Sequence, residues 1–146
     1  MSKVELFVGL KIPDTTAITT LHTIEKMGYK DIKKVKRQFY YKFDIDDDKD
    51  KFENKIGKVD VLVNANKNKY STRLEKEGNA VYVLVQEIDD KCEGLLATLR
   101  DRLGLAEIKK IEKGVLWTLY DIDKKVAEEI TKKLLYNEHY QEMRIL

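Results

Sequence analysis

The residues whose side chains could do chemistry are few, and their spacing matches no common catalytic or metal-binding motif. Cys92 is the only cysteine, and His22 and His139 are the only histidines. The sequence has no glycine-rich phosphate loop, dinucleotide fingerprint, paired-histidine zinc motif or nucleophile elbow. Lone cysteines behave mostly as small apolar residues. We therefore interpret Cys92 as a half-buried helical thiol and both histidines as structural or surface residues.

One acidic run has the oxygen-rich composition of a calcium-binding loop. Its members are Asp44, Asp46, Asp47, Asp48 and Asp50. The run lacks the central glycine and the bidentate glutamate of such a loop. Negative charge is also favoured at the start of a helix, and we interpret the run in this way. The sequence thus predicts a chain without catalytic, cofactor-binding or metal-binding residues of its own.

Composition limits the class of protein. The chain has 146 residues, of which 42% are hydrophobic, so it fits one domain or two very small ones that share a core. Its 28 basic and 26 acidic residues are interspersed and leave a net charge of +2, which argues against a nucleic-acid partner. The apolar segment VELFVGL, which follows Met1, Ser2 and Lys3, is too short for a signal peptide or a membrane span. We expect a cytoplasmic protein that does not associate with membranes.

Two segments of the chain match each other. Residues 28–47 and 104–123 share the pattern G-x-x-(D/E)-I-K-K-(V/I), which aligns Gly28 with Gly104. Each glycine follows a helical pattern and precedes a strand pattern, as expected for a left-handed residue at a helix end. Pro13 and Asp14 are typical of a helix start. The match indicates that one unit is written twice.

The apolar patterns predict the order β-α-β-α-β in each copy. The expected elements of the first copy are a strand at Val4–Leu10, a helix before Gly28, an extended stretch at Ile32–Ile45, a helix at Lys49–Ile56 and a strand at Val59–Asn64. Those of the second are a strand at Ala80–Val85, a helix before Gly104, an extended stretch at Ile108–Ile122, a helix at Lys124–Tyr136 and a strand at Gln141–Leu146. Because of Gly114, the second extended stretch is either one bent strand or a tight pair.

We therefore predict an α+β fold of two tandem repeats packed as a pseudo-dimer. Residues 1–66 form a degenerate first repeat, 67–79 a connector that is either an ordered arm or a flexible linker, and 80–146 the second repeat. A unit of ~65 residues buries too little surface to be stable alone, so the repeats should share a core. The side chains expected to be buried by the helices are Leu99, Leu103, Ile130 and Leu134.

Aromatic residues concentrate in the two long extended stretches, with Trp117 in the second. Aromatic side chains fill the half-buried face of a sheet, and they also anchor interfaces between proteins. Both interpretations of these residues remain open at this point.

The second copy resembles a PurS subunit of phosphoribosylformylglycinamidine synthase. The resemblance rests on VYVLV, a helix ending in L-G-L, then IKKIEKGVLWTL, and finally AEEITKKLLYNEHYQEMRI. Gly104, Ile108, Ile111, Gly114 and Leu119 match the middle of the family pattern, and Leu134, Leu135 and Asn137 match its end. The first copy matches at Val4–Lys11 and at Met27–Tyr29 but departs afterwards, with Gln38 in place of the family glycine.

This resemblance implies a small non-catalytic subunit of an ATP- and glutamine-dependent complex in purine biosynthesis. A large synthetase subunit uses ATP and Mg²⁺, a glutaminase subunit frees ammonia, and the PurS subunit bridges them and supports ammonia transfer. The resemblance therefore implies no cofactor in this chain and an interface or structural role for Gly114, Trp117, Leu134, Leu135 and Asn137. Asn137 is expected to close the second helix, and Gly114 to serve backbone geometry. Self-association is expected to be weak, or to give a dimer of pseudo-dimers.

Two alternatives belong to other classes of protein. One is a duplicated ACT-like or ferredoxin-like module that binds a small metabolite, since packed β-α-β units often form clefts. The other is a bare oligomerisation protein. Copurification with a synthetase would favour the bridging subunit, and a ligand-induced rise in melting temperature would favour the metabolite module.

Overall fold

The chain is α+β, as its apolar patterns predict. The structure is a computed structural model that describes residues 2–146. Its elements are β1 (Ser2–Leu10), α1 (Thr15–Lys26), β2 (Val35–Ile45), α2 (Lys49–Ile56), β3 (Asn68–Ser71), β4 (Ala80–Glu87), α3 (Glu93–Ala97), β5 (Ile108–Tyr120), α4 (Lys124–Ile130) and β6 (Gln141–Ile145). The six strands form one sheet in the order β3-β1-β2-β5-β4-β6, and this architecture is compatible with a ferredoxin-like fold. None of the helices in residues 2–146 is both long and apolar enough to cross a membrane.

The chain divides into two compact units, each built from three separate segments. The first unit comprises the described residues up to Lys11, Phe39–Leu74 and Asp89–Lys113. The second unit comprises Ile12–Gln38, Glu75–Ile88 and Gly114–Leu146. The units are thus not consecutive stretches of sequence, and the repeat boundaries at 66 and 80 stay a prediction about the sequence.

The core of the first unit lies between strand side chains and two helices. Val4, Leu6 and Val8 of β1 lie with Phe43 and Ile45 of β2. Further members are Phe52, Ile56, Leu62, Val63, Cys92, Leu99, Leu105, Ile108 and Ile111. Leu99 lies in the second half of the sequence, so a helical segment of that half packs in the same core as β1.

The core of the second unit is built in the same manner. Val81, Val83 and Val85 of β4 lie with Trp117 and Leu119 of β5. Further members are Ala17, Ile24, Ile32, Val35, Ala127 and Ile130. Ala17 and Ile24 belong to α1, so a helix from the first half of the sequence packs in the same core as β4, a strand from the second half.

The predicted helix boundaries are confirmed at three positions. Asp14 precedes α1, and its Oδ1 accepts hydrogen bonds from the amides of Thr16 and Ala17 at 3.0 and 3.2 Å. Gly28 and Gly104 have φ values of 104° and 74°, in the left-handed region that favours glycine. The local signals for a helix start and stop therefore gave the correct positions.

The strand predicted at Val59–Asn64 is wrong. This segment forms turns, in which Val59 O accepts hydrogen bonds from the amides of Leu62 and Val63. The strand that follows α2 is β3, which lies within the predicted connector and pairs antiparallel with β1 from Phe7↔Ser71 to Leu10↔Asn68. Part of that connector is therefore an ordered arm. Leu62 and Val63 are buried as expected of apolar residues, but in turn conformation.

Leu103 and Leu134, both predicted to be buried, are exposed by 47% and 37%. The cause is a change of helix type, because α3 and α4 continue as π-helical segments at Thr98–Arg102 and Thr131–Leu135. The Leu103 amide donates to Thr98 O, five residues back, and this longer turn rotates the following side chains away from the α-helical stripe. Leu99 and Ile130, which precede the rotated positions, are fully buried as predicted.

Candidate functional site

The residues predicted to form an interface all lie in the second unit. Gly114 lies in β5, where this strand runs beside the end of β4. A Cβ at this position would lie 2.7 Å from Val85 O and 2.8 Å from Gln86 Cγ. Gly114 does not appear among the residues with positive φ. It serves backbone geometry, as predicted, but by allowing close approach of two strands rather than by adopting a left-handed conformation.

Trp117 is a core residue of this unit. Its backbone pairs with Val83, and its side chain is 8% exposed. Most other aromatic residues of the extended stretches are buried too, among them Tyr40, Phe43 and Tyr120. Phe39 is the clear exception, with 41% of its surface exposed. For most of these aromatic side chains the structure thus favours the core interpretation over an interface.

Leu134 and Leu135 have different environments. Leu135 packs against the core of the second unit, whereas Leu134 faces outward as a consequence of the π-helical turn. In that turn the Tyr136 amide donates to Thr131 O at 3.2 Å. Leu134 is therefore accessible to a partner, and Leu135 is a packing residue.

The prediction that Asn137 closes the second helix is wrong. The helix ends at Tyr136, whose φ of −147° is extended. Asn137 instead organises the turn into β6: its Oδ1 accepts from the His139 amide at 3.0 Å, and its carbonyl accepts from the amides of Tyr140 and Gln141. Asparagine favours such side-chain-supported turns. Its role is to position the start of β6.

A cleft of about 580 Å³ opens in the second unit where three loops meet. It is lined by 28–31 after α1, by 78–81 at the start of β4, and by 121–124 and Val126 at the start of α4. Lys30 and Lys124 supply positive charge, and Asp31, Asp121 and Asp123 supply negative charge. Asp121 takes a φ of 65°, and its amide donates to Asn79 O at 2.8 Å. The cleft can accommodate a small polar molecule.

Polar side chains of the second unit are engaged with one another. The Tyr29 hydroxyl donates to Glu129 Oε2 at 3.3 Å and accepts from Lys133 Nζ at 3.0 Å. This hydrogen bond to Tyr29 raises the pKa of Lys133, so the amine stays charged. Arg37 binds Asp14 through two nitrogens at 3.0 and 3.2 Å and so fixes the start of α1 to β2. These contacts support the fold of the unit.

A second polar cluster lies around Tyr120. Burial raises the pKa of Tyr120, and a hydrogen bond with Glu77 raises it further, so the phenol stays protonated. The Tyr82 hydroxyl accepts from the Glu77 amide at 2.7 Å and donates to Glu75 O at 3.4 Å. The cluster attaches the segment before β4 to the second unit, which is a structural role.

The candidate reactive groups are placed as the sequence indicated, with one difference. His22 and His139 are exposed. Cys92 is buried rather than half-buried and precedes α3 with a φ of 53°, and burial raises the pKa of its thiol. Asp48 of the acidic run caps α2 by accepting from the Asp50 amide at 2.9 Å, as expected of a helix start. Among residues 2–146 no three histidine, cysteine or acidic side chains lie close enough to hold a metal ion.

Comparison with known proteins does not assign the chain. No protein-family model matches it, and no curated protein sequence matches it significantly. Its function must be argued from its own residues.

The sequence did not indicate one further feature, the exposed edge of the sheet at β6. In the strand order β6 is terminal, with β4 as its neighbour. Tyr140 and Ile88 stand at one end of this edge, 66% and 46% exposed, and are joined by a hydrogen bond from the Ile88 amide to Tyr140 O. The alternation of polar and apolar residues in β6 indicates a strand with two different faces. Only the strand order shows that β6 has no neighbouring strand, within residues 2–146, on the side away from β4.

Proposed function

We propose that the chain is a tandem-duplicated PurS-like subunit, which bridges the synthetase and glutaminase subunits of phosphoribosylformylglycinamidine synthase and supports ammonia transfer between them. It acts by binding, and ATP, Mg²⁺ and glutamine are used by its partners. In this proposal the two sequence repeats form a pseudo-dimer.

The observation that carries the proposal is the order of elements in the sheet. Each sequence half contains β-α-β-α-β. From either edge of the sheet inward, the strands are the third, first and second of one half: β3-β1-β2 from one edge and β6-β4-β5 from the other. A unit paired with its own copy about a two-fold axis produces this kind of order, since the same elements are used twice. The shared glycine positions, Gly28 and Gly104, support the same relation.

The polar contacts favour a binding role over a chemical one. Asp14 and Asp48 cap helices, Arg37 pairs with Asp14, and Lys55 binds Glu107 at 2.6 Å. Each group thus has a partner that explains its position. Leu134 is the leucine of the Leu134–Leu135 pair that is exposed, by 37%, and it is therefore the one that another protein could contact.

The proposal is tested by gel filtration of the chain with the purified synthetase and glutaminase in the presence of ADP, Mg²⁺ and glutamine. A ternary complex is expected. Leu134→Asp should weaken the complex while leaving the far-ultraviolet circular dichroism unchanged. Ile18→Asp is the matched control, because Ile18 is also exposed, by 45%, but lies in α1 of the first sequence half. If no complex forms with the wild-type chain, the proposal fails.

The loop cleft favours a second candidate, a small-metabolite-binding module. Its volume of about 580 Å³ is within the usual range for small-molecule sites. A ligand that binds only the folded chain raises the melting temperature. A thermal-shift screen of amino acids and nucleotides, with glutamine and ATP among them, tests this candidate. Lys124→Glu within the cleft should abolish any shift, and no shift with any compound would count against the module.

A further inference from the structure

The side chains of β6 alternate between two faces. Met143 and Ile145 pack against the core of the second unit, while Glu142 and Arg144 are exposed. The strand therefore has one apolar face that belongs to the fold and one charged face in solvent. The charged face carries one negative and one positive residue, placed symmetrically about Met143.

The backbone of β6 presents free groups at the edge of the sheet. The Leu146 amide donates to Tyr82 O at 3.0 Å, and Tyr140 O accepts from the Ile88 amide at 2.8 Å. In an antiparallel ladder, residues that bond to the neighbour alternate with residues whose groups point away. Glu142 and Arg144 therefore belong to the set that faces β4. The carbonyl of Gln141 and the amides and carbonyls of Met143 and Ile145 face outward, on the side where the strand order within residues 2–146 places no further strand. The Gln141 amide already donates to Asn137 O at 2.8 Å.

These outward groups define how a second copy of β6 could pair with the first. Two copies of β6 can pair antiparallel about a two-fold axis. Their outward amides and carbonyls then bond to one another only if the axis passes through Glu142, Met143 or Arg144. A centre at Glu142 places glutamate opposite glutamate, and a centre at Arg144 places arginine opposite arginine. A centre at Met143 places Glu142 opposite Arg144 twice. Opposite charges stabilise directly facing positions, and like charges destabilise them.

The central register also matches the residues that flank the charges. It places Tyr140 opposite Leu146, on the same face as the charged pairs. Tyr140 is 66% exposed in the single chain. The charged pairs occupy non-hydrogen-bonded positions, where facing side chains approach most closely. On the exposed face, each charged residue then lies opposite a residue of opposite charge, and Tyr140 lies opposite Leu146.

The opposite edge of the sheet, β3, lacks these properties. β3 has four residues and β6 has five. The two edges are alike in one respect, because the Asn68 amide donates to Asn64 O at 2.7 Å just as the Gln141 amide donates to Asn137 O. Self-pairing of β3 centred on Lys69 would place lysine opposite lysine, and self-pairing centred on Tyr70 would place Lys69 opposite Ser71, so neither register forms an ion pair. Lysine on an edge strand is a common means of preventing such pairing. Charge therefore favours self-pairing at β6 over self-pairing at β3.

We propose that β6 is a self-association edge, at which two copies of this chain pair antiparallel about Met143 with reciprocal Glu142–Arg144 ion pairs. The interface is small, and interfaces of this size are weak and concentration-dependent. The proposal does not depend on the PurS-like function, because it concerns the chain alone.

Sedimentation velocity of the full chain over a concentration series tests the proposal. The wild type is expected to pass from monomer to dimer as its concentration rises. Glu142→Arg and Arg144→Glu each place like charges at both facing pairs, and each should raise the dissociation constant about tenfold or more. The double variant E142R/R144E restores opposite charges and should recover the dimer. Equimolar E142R and R144E should form a heterodimer at concentrations where each alone is mostly monomeric.

Control variants make the same changes of charge elsewhere. Glu128→Arg on α4 matches Glu142→Arg, and Lys51→Glu on α2 matches Arg144→Glu, since both residues are exposed. These controls should dimerise as the wild type does. The proposal is overturned if the wild type stays monomeric at its highest soluble concentration. It is equally overturned if single reversals leave the dimer unchanged, or if neither the double variant nor the mixture restores it.

Discussion

Replacing Gly114 by alanine should destabilise the chain through a steric contact between two strands. The added Cβ would lie 2.7 Å from Val85 O, 2.8 Å from Gln86 Cγ and 3.1 Å from Leu84 Cδ1. The two side chains can rotate away, but the carbonyl oxygen can move only if β4 moves. Overpacking of this kind destabilises by ~1–3 kcal/mol. The lower backbone entropy of unfolded alanine offsets about 0.4–1 kcal/mol of that, which leaves a net loss of roughly 0–2.6 kcal/mol, centred near 1.3 kcal/mol.

Two other glycines serve as controls because their surroundings differ. A Cβ at Gly94 meets nothing within 4 Å, so Gly94→Ala in α3 should stabilise by about 0.4–1 kcal/mol. A Cβ at Gly104 also meets nothing, but its φ of 74° is unfavourable for alanine. Gly104→Ala should therefore destabilise by ~1 kcal/mol through the backbone alone. The three variants separate crowding, chain entropy and backbone conformation.

Urea denaturation followed by Trp117 fluorescence measures these differences, because Trp117 is the only tryptophan and lies in the core of the second unit. The midpoint should fall for Gly114→Ala, fall for Gly104→Ala and rise for Gly94→Ala, with the denaturant slope unchanged. A Gly114→Ala midpoint equal to or above that of the wild type would refute the steric argument. So would a Gly94→Ala midpoint lowered as much as that of Gly114→Ala.

Three further predictions follow from side-chain contacts. Asp14→Ala removes both the α1 cap and the Arg37 pair and should cost ~1–3 kcal/mol in chemical denaturation, whereas Asp14→Asn should cost less because an amide oxygen still caps the helix. Burial opposes ionisation of Glu107, but its hydrogen bond with Lys55 outweighs this and lowers its pKa. Its contribution to stability is therefore present above the pKa of the unfolded chain and lost as pH falls through the folded pKa, so Glu107→Gln should flatten the acid limb of a stability–pH curve. Leu135→Ala should lower the thermal midpoint more than Leu134→Ala, and the reverse order would argue against the π-helical register.

Local signals in the sequence were sufficient where a single residue determines the conformation. Gly28 and Gly104 end their helices because each must adopt a positive φ, and Asp14 begins α1 because its carboxylate satisfies exposed amides. Such effects act within a few residues of the chain. For this reason the capping residues correctly placed the start of α1 and the helix ends before Gly28 and Gly104.

Long-range pairing could not be seen in the sequence. β3 carries a polar pattern, Asn-Lys-Tyr-Ser, and becomes a strand because β1 supplies its hydrogen-bond partners. Leu62 and Val63 have apolar character typical of a strand but are buried in turns. A helical period likewise cannot reveal the π-helical turns that rotate Leu134 outward. In the candidate site, the close approach at Gly114 depends on the position of Val85 O, which only the folded sheet defines.

The proposed coupling of a glutaminase to a synthetase by this chain is tested by the rate of amidine formation by these two proteins with and without the chain. The reaction is measured once with glutamine and once with ammonium chloride as the nitrogen source. We expect the chain to raise the glutamine-dependent rate strongly and to change the ammonia-dependent rate little, because added ammonia needs no bridge. Equal glutamine-dependent rates with and without the chain would contradict it.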